Sequence, residues 1–502
     1  MDERERIQQL RRIKVIVTEF FMFVCVILLV VFLSLIVMGY SLNLKRLGGG
    51  GEIIERTGLV QISSKPIGAT IEIDGGTALL LRTNGSKTVA SGEHTFKLIK
   101  EGYEGWEKTI DVREGMMYRL NYPRLFPVEI ETEKIMKLEG VEVATSTPNM
   151  EKMLVLQAGK MYLVNLNETT PGIFSLDVGL GVKIETFEKM AWSGNSERLL
   201  AKINGEIAII NVKAPSEFIF LKDILGEIKV KDVEFETEAG DRLVILTEGG
   251  DLREVDVRGK KIGEKLKKNV VSFDNNGDSV VYLTKKVKNT ESEMDLGDFE
   301  GLEEEAELAE ESEQEKAERQ KEDNYEFEMR AYQIGGDEDY RIAGVEHETA
   351  KIATMDYYGD SLFGIADARY LRVYAFEGWP DDDNEAETIF RGEISFEAQE
   401  LKKHGKGMVF DVEGGAREAI FDVEATKIIE LSEEKGIRGW IDEFLRYRVI
   451  EGKLEVEDYD GLNQKEIVSG EISGSKGVFI SGNGKWVYYF EGDTLMRGKI
   501  RV

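Results

Sequence analysis

Val478-Phe479-Ile480-Ser481-Gly482-Asn483-Gly484-Lys485 leads into an alternating apolar run at residues 486–490, and the same order recurs twice upstream. Met190-Ala191-Trp192-Ser193-Gly194-Asn195 precedes the run 198–203, and Val271-Ser272-Phe273-Asp274-Asn275-Asn276-Gly277-Asp278 precedes 279–283. Each copy is an apolar segment with an aromatic residue, a Gly/Asn turn and a period-two apolar run, the pattern of two strands joined by a tight turn. Degenerate copies fall at residues 233–241, 355–360, 394–398 and 437–442. Trp192, Phe235 and Phe273 are 43 and 38 residues apart, and Trp440 and Phe479 are 39 apart. A period near 40 residues with several strands apiece marks a repeat of small sheets arranged as blades.

The turn-and-strand pattern resembles the TolB-type, WD40-like family of β-propellers, in which a Ser-x-Asn/Asp-Gly turn joins the inner two strands. Units counted from Val141, Trp192, Phe235, Phe273, Tyr357, Phe396, Trp440 and Phe479 make eight blades, or seven if the Val141 or Phe396 unit is incomplete. The chain ends after the third strand of the last unit, and residues 128–138 are strand-like ahead of the first. Pairing of these two segments is expected to close the ring and remove its open edges. Residues 126–502 are assigned to the propeller.

The repeat stops at residues 289–324, which hold sixteen acids and three bases. Such a composition reads as a solvated, disordered insertion between two strands of one blade. A mobile acidic arm also suits a basic partner or cations.

Residues 58–125 alternate short β-type runs with Gly, Pro and Asn breakers, as a small antiparallel sheet domain does. Ser64-Lys65-Pro66-Ile67-Gly68-Ala69 precedes the run Thr70-Ile71-Glu72-Ile73, Ser91-Gly92-Glu93-His94 opens the next, and Lys100-Glu101-Gly102-Tyr103-Glu104-Gly105-Trp106 follows it. This order resembles the PEGA domain of bacterial surface proteins, with Pro66-Ile67-Gly68-Ala69 in place of the namesake tetrad. The resemblance implies an extracytoplasmic β-sandwich-like spacer or surface-binding module with no catalytic site. Gly68 and Gly102 are expected at positive φ. Tyr103 and Trp106 are expected to pack on the sheet, the alternative being a sugar-stacking platform. His94 is expected to point across a strand without chemistry.

From Phe20 to Met38 the chain reads FFMFVCVILLVVFLSLIVM, nineteen residues without a charge. At 1.5 Å per residue that spans about 30 Å, the thickness of a bilayer's hydrocarbon. The run is too long for a cleaved signal peptide, so residues 15–44 are assigned as a transmembrane signal-anchor helix. Arg4, Arg6, Arg11, Arg12 and Lys14 precede it and only Lys45 and Arg46 closely follow, which puts residues 1–14 in the cytoplasm and the rest outside the plasma membrane. Residues 45–57, with the run Gly48-Gly49-Gly50-Gly51, read as a flexible linker on which the head swings.

The chain has 502 residues and a formal charge of -30, which argues against nucleic acid as a partner. Its single cysteine, Cys25, lies in the apolar run, so an intrachain disulfide framework and a thiolate metal cluster are both excluded. Histidines number three, His94, His347 and His404, and none has a nucleophile beside it in sequence. Neither Asp274, Asn276 and Asp278 nor Asp381, Asp382, Asp383 and Asn384 has the twelve-residue spacing and terminal Glu of an EF-hand calcium loop. There is no GxSxG, GxxxxGK[ST] or HExxH, so no cofactor, metal or catalytic residue is assigned. Lys402, Lys403 and Lys406 form a small basic patch suited to a weak anionic contact.

The expectation is an all-β, non-enzymatic protein with a PEGA-like domain and a seven- or eight-bladed propeller behind one transmembrane helix. It would bind envelope proteins or cell-wall glycan from its place on the lipid bilayer, through Tyr103, Trp106, Lys402, Lys403 and Lys406. The alternative is an extracytoplasmic hydrolase of cell-wall sugar or peptide with paired acids in the propeller axis.

Overall fold

The computed structural model describes residues 3–37, 40–42, 54–168, 172–176, 184–214, 218–277, 279–287, 325–336, 338–381, 386–404, 409–431 and 436–501. The chain divides into two compact units, Met1–Val128 and Glu129–Val502.

The first unit opens with a 35-residue helix, Glu3–Val37. Its stretch Val17–Ser34 has a mean hydropathy of 2.6 and none of it is buried against protein. Large apolar side chains such as Phe20, Phe23 and Leu28 are more than half exposed. That exposure is costly in water and costs nothing in lipid.

Two four-stranded sheets follow. One runs Gly76–Arg82, Thr70–Ile73, Gly92–Ile99, Trp106–Val112, and the other Tyr40–Leu42, Ile54–Ile62, Gly85–Ala90, with Met117–Leu120 parallel to Ile54–Ile62. Val60, Ile62, Ile71, Phe96, Leu98 and Trp106 are fully or almost fully buried, and they come from both sheets. Gly68 and Gly102 adopt φ of 82° and 80° as their turns require. One difference concerns the linker: the strand Ile54–Ile62 begins inside it, and its first residues pair with the chain just past the helix, Tyr40 opposite Arg56 and Leu42 opposite Ile54. Backbone pairing therefore ties the helix exit to the domain's first strand, where a freely swinging tether was expected. The glycine run lies outside the described residues.

The second unit contains eight four-stranded antiparallel sheets among its described residues. Blade 1 covers residues 141–176, blade 2 187–220, blade 3 230–267, blade 4 270–345, blade 5 351–393, blade 6 400–430 and blade 7 437–469. Blade 8 is built from both ends of the unit: Phe479–Ile480, Trp486–Glu491 and Thr494–Lys499 take Thr132–Lys137 as their outer strand. Thr494 lies opposite Lys137 and Gly498 opposite Thr132, so the ring closes as the sequence suggests.

Second strands read as unbroken apolar runs because blades pack on both of their faces; Leu243, Val244, Ile245 and Leu246 are all fully buried. Outer strands alternate and meet solvent, as Lys261–Lys267 does. The recurrent turn has a common chemistry. Ser193 Oγ donates to Asn195 Oδ1 at 2.9 Å and accepts the amide of Arg198 at 2.9 Å. Ser481 repeats this with Asn483 and Trp486 at 2.8 and 3.0 Å, and Thr147 with Asn149 and Lys152 at 2.7 and 3.2 Å. Each hydroxyl and carboxamide satisfies turn amides that the strands leave unpaired. Phe396, taken as a blade anchor, instead lies ahead of blade 6's inner strand, Glu400–His404, and is 5 % exposed in the core between blades 5 and 6. The acidic insertion lies outside the described residues, and its flanks, Ser279–Val287 and Tyr325–Gln333, are neighbouring strands of blade 4 with Val287 opposite Tyr325.

Candidate functional site

Blades 6 and 7 meet across a charged seam. In blade 6, Glu413 and Glu418 face each other across neighbouring strands, with Asp411 two residues before Glu413. In blade 7, Trp440 pairs with Arg446 and Arg438 with Arg448 on one face of the sheet. The two faces are complementary in sign. A cleft of about 370 Å³ opens between them, lined by Glu413, Arg417, Glu418, Arg438, Trp440 and Arg446 together with glycines and Ala416.

Arg446 lies at the base of this cleft and is 2 % exposed. Its Nη2 donates to Glu418, and its Nη1 is 3.9 Å from Glu457. Nε and Nη1 have no hydrogen-bond partner among the described residues, and neither has Asp411 Oδ1. Buried polar groups are rarely left so. His404 stacks on Trp440 with ring centroids 4.0 Å apart, while Trp440 Nε1 donates to Asp411 Oδ2 at 3.0 Å. Burial, reinforced by the charge of Asp411, pushes the Glu418 carboxyl up to about 7 despite the attraction of Arg446. The cleft thus offers guanidinium donors, carboxylate acceptors and an indole edge within one half-open volume.

A second polar cluster joins inner strands. Val233 is buried in the blade core, so alternation turns Asp232 and Glu234 to the other side. Lys403 of blade 6 donates to Asp274 of blade 4 at 3.2 Å and to the Asn275 carbonyl at 2.8 Å, and Asn275 donates its amide to Glu234 at 3.0 Å. Asp274 also accepts the amide of Thr354, from blade 5, at 2.6 Å. Burial and the charge of Asp274 hold the Glu234 carboxyl well above the ordinary range, against the pull of Lys403. This arrangement cross-links four blades, 3 to 6, near the axis.

Residues singled out in the sequence are scattered. Trp106 is 1 % exposed and packs edge-on against Tyr122 at 6.1 Å, so it fills the core and offers no stacking face. Tyr103 is half-buried and bridges to Pro127 through its backbone. Lys402 and Lys403 alternate to opposite sides of their strand: Lys402 is half-exposed and held by Glu400 and Glu413, while Lys403 reaches Asp274. Both are therefore paired with carboxylates, and these two, the described residues of the expected basic patch, do not share a face; Lys406 lies outside the described residues. His94 Nδ1 contacts Asp74 at 2.7 Å and its Nε2 the Ala90 carbonyl at 2.8 Å. His347 Nδ1 is 2.8 Å from the buried Asp367, and with Glu346 these offer three ligand atoms within 4.8 Å of one another. Asp278 and residues 382–385 of the two aspartate clusters lie outside the described residues. Arg446, Glu418 and Asp411 were missed. Arg446 and Asp411 left a partial signal, since they place charges in second strands whose middles are apolar in blades 1 to 3.

A family model of the PEGA domain matches residues 57–124. Those residues form a PEGA domain. The match takes in the tetrad position, Gly68 and Gly102 with their positive φ, and the buried Trp106 of the PEGA domain described above. No curated protein matches the chain. Solved structures similar to it include the beta-propeller domain of Cps50 (Swd1) from Myceliophteria thermophila, at 10 % identity, 74 % of this chain, 100 % of that one and a TM-score of 0.37. An oligogalacturonate lyase in complex with manganese is similar at 10 % identity, 74 % and 98 % coverage and a TM-score of 0.39. The N-terminal domain of Nup159 follows at 12 % identity, 75 % and 98 % coverage and 0.33.

Proposed function

We propose that this chain is a membrane-anchored, extracytoplasmic binding protein, which displays a β-propeller for contact with envelope proteins or cell-wall glycan and does not catalyse a reaction. The helix supports the anchor, being apolar over about the thickness of a bilayer's hydrocarbon and unburied along Val17–Ser34. Basic residues ahead of it support a cytoplasmic N-terminus at the plasma membrane. The PEGA domain supports an outside location.

The observation that carries the binding reading is the cleft between blades 6 and 7, where buried Arg446 has no hydrogen-bond partner at Nε and Nη1 among the described residues. A ligand bearing hydroxyl or carboxylate oxygens would satisfy them, and Glu413 would accept from its hydroxyls. Full-length protein in detergent, incubated with isolated cell-wall sacculi or with cross-linked membrane extract, should capture its ligand. Ala416→Trp, at an exposed turn on the cleft's rim, should abolish capture without unfolding the ring. Equal capture by this variant would refute the cleft as the site.

The hydrolase reading has one observation in its favour, the Asp232, Glu234 and Asp274 carboxyls gathered around Lys403. Release of soluble sugar or peptide from the same sacculi, abolished by Glu234→Gln, would establish it. Protease added to intact cells should cleave the propeller; protection would overturn the outside placement.

A further inference from the structure

The pairing that ties the helix to the PEGA domain also brings a particular turn to the membrane exit. Along one edge of the strand Ile54–Ile62, Tyr40 pairs with Arg56. The very next residue, Thr57, accepts the amide of Gly115 through its carbonyl at 2.9 Å, and Leu59 donates to the Met116 carbonyl at 2.9 Å. The start of the post-helix strand and the turn at residues 113–116 therefore lie end to end on the same edge. Only Met38 and Gly39 separate Tyr40 from the helix terminus Val37, a reach of about 10 Å at most.

The turn is shaped for a close fit on that strand. A Cβ at Gly58 would stand 2.7 Å from the Arg113 carbonyl oxygen and 3.1 Å from that of Met116, so only glycine lets the turn approach. At its end and at the start of the following strand two apolar side chains face out: Met116 is 53 % and Met117 40 % exposed. Of its two charged residues, Glu114 pairs with Arg56 at 2.6 Å, and Arg113 is an exposed cation suited to anionic headgroups. Two unbranched, polarizable side chains beside an exposed cation at the helix exit suit a lipid interface.

We propose that the turn at residues 113–116 seats the PEGA domain on the outer leaflet, with Met116 and Met117 entering the headgroup region. The inference rests on the helix spanning the bilayer. The domain then stands on the membrane at two points, the helix and the turn.

The test uses full-length Cys25→Ala protein in phosphatidylethanolamine and phosphatidylglycerol vesicles, with an environment-sensitive fluorophore on a single introduced cysteine. Probes are placed by Met117→Cys at the turn, Val30→Cys in the helix and Ile67→Cys, an exposed position beyond the far end of the strand Ile54–Ile62. The expected result is a blue shift and quenching by headgroup-proximal doxyl lipid at Met117→Cys, and neither at Ile67→Cys. The same quenching should fall in a Met116→Glu background that keeps the thermal unfolding temperature. An unshifted, unquenched probe at 117, with the probe at 30 quenched by deep doxyl lipid, overturns the proposal and leaves the span standing. An unquenched probe at 30 overturns both.

Discussion

Arg497 and Glu133 lie 364 positions apart in sequence and meet at 2.6 Å, Arg497 Nε donating to Glu133 Oε1 where the two ends of the propeller pair. Arg497 is 4 % exposed and stacks over Trp486 at 3.9 Å, whereas the Glu133 side chain is half in water. Screening makes the ion pair itself weak, and burial makes the guanidinium's packing strong. Glu133→Gln is therefore expected to change stability by under about 0.5 kcal/mol. Arg497→Ala should cost about 1–3 kcal/mol. Urea unfolding of both variants separates the two contributions.

Two buried carboxyls should make the propeller less stable as pH rises. Glu418 and Glu236 are both raised to about 7, chiefly by burial, from an ordinary 4.5. Above pH 4.5 the unfolded chain gives up protons that the folded one keeps, so stability falls with rising pH and the loss is complete above 7. The slope for one such group approaches about 1.4 kcal/mol per pH unit. Glu418→Gln should flatten the profile between pH 5 and 7.5, measured by denaturant midpoints. An unchanged slope would remove Glu418 from this role.

Asp339 has the opposite sign. Burial alone would raise its carboxyl, but hydrogen bonds from Lys267, Tyr282 and Arg330 overcome that and lower it to about 2 from 3.8. Its contribution is present above pH 3.8 and lost as pH falls towards 2. Asp339→Asn should cost about 2 kcal/mol at pH 7 and almost nothing at pH 2. Acid titrations of the variant and the parent, followed by near-ultraviolet circular dichroism, should therefore converge at the low end.

Gly58→Ala tests how closely the turn at residues 113–116 is seated. The added methyl would meet Val112 Cγ1 at 2.6 Å and the Arg113 carbonyl at 2.7 Å, and backbone cannot yield cheaply. A loss of about 1–3 kcal/mol is expected. Hydrogen exchange should also quicken at the Gly115 and Leu59 amides, which bridge strand and turn.

Much of this architecture was readable because it is periodic. Ser193-Gly194-Asn195 and Ser481-Gly482-Asn483 announce their turns since a hydroxyl and a carboxamide at that spacing satisfy the same amides. Thr147-Pro148-Asn149 uses the same chemistry with a threonine and escaped notice. In blade 7 Asp442 alone takes the Phe444 and Leu445 amides, which leaves a fainter trace. The seam was illegible for another reason. Arg446 and Glu418 are 28 residues apart and belong to different blades, and alternation shows that each leaves the solvent side without showing which neighbour it meets. The tie between Tyr40 and Arg56 was hidden in the same way, because a glycine run reads identically whether or not its flanks pair.

Completing blade 8 with Thr132–Lys137 sets a schedule for assembly. That strand is among the first of its unit to leave the ribosome, and its partner, Thr494–Lys499, is nearly the last. Every earlier blade must wait as an unsealed arc with two bare edges while the remaining chain is delivered. A nonsense mutation removing only the final strand would thus leave seven intact sheets with nothing to lock them, an open horseshoe exposed to quality-control proteases.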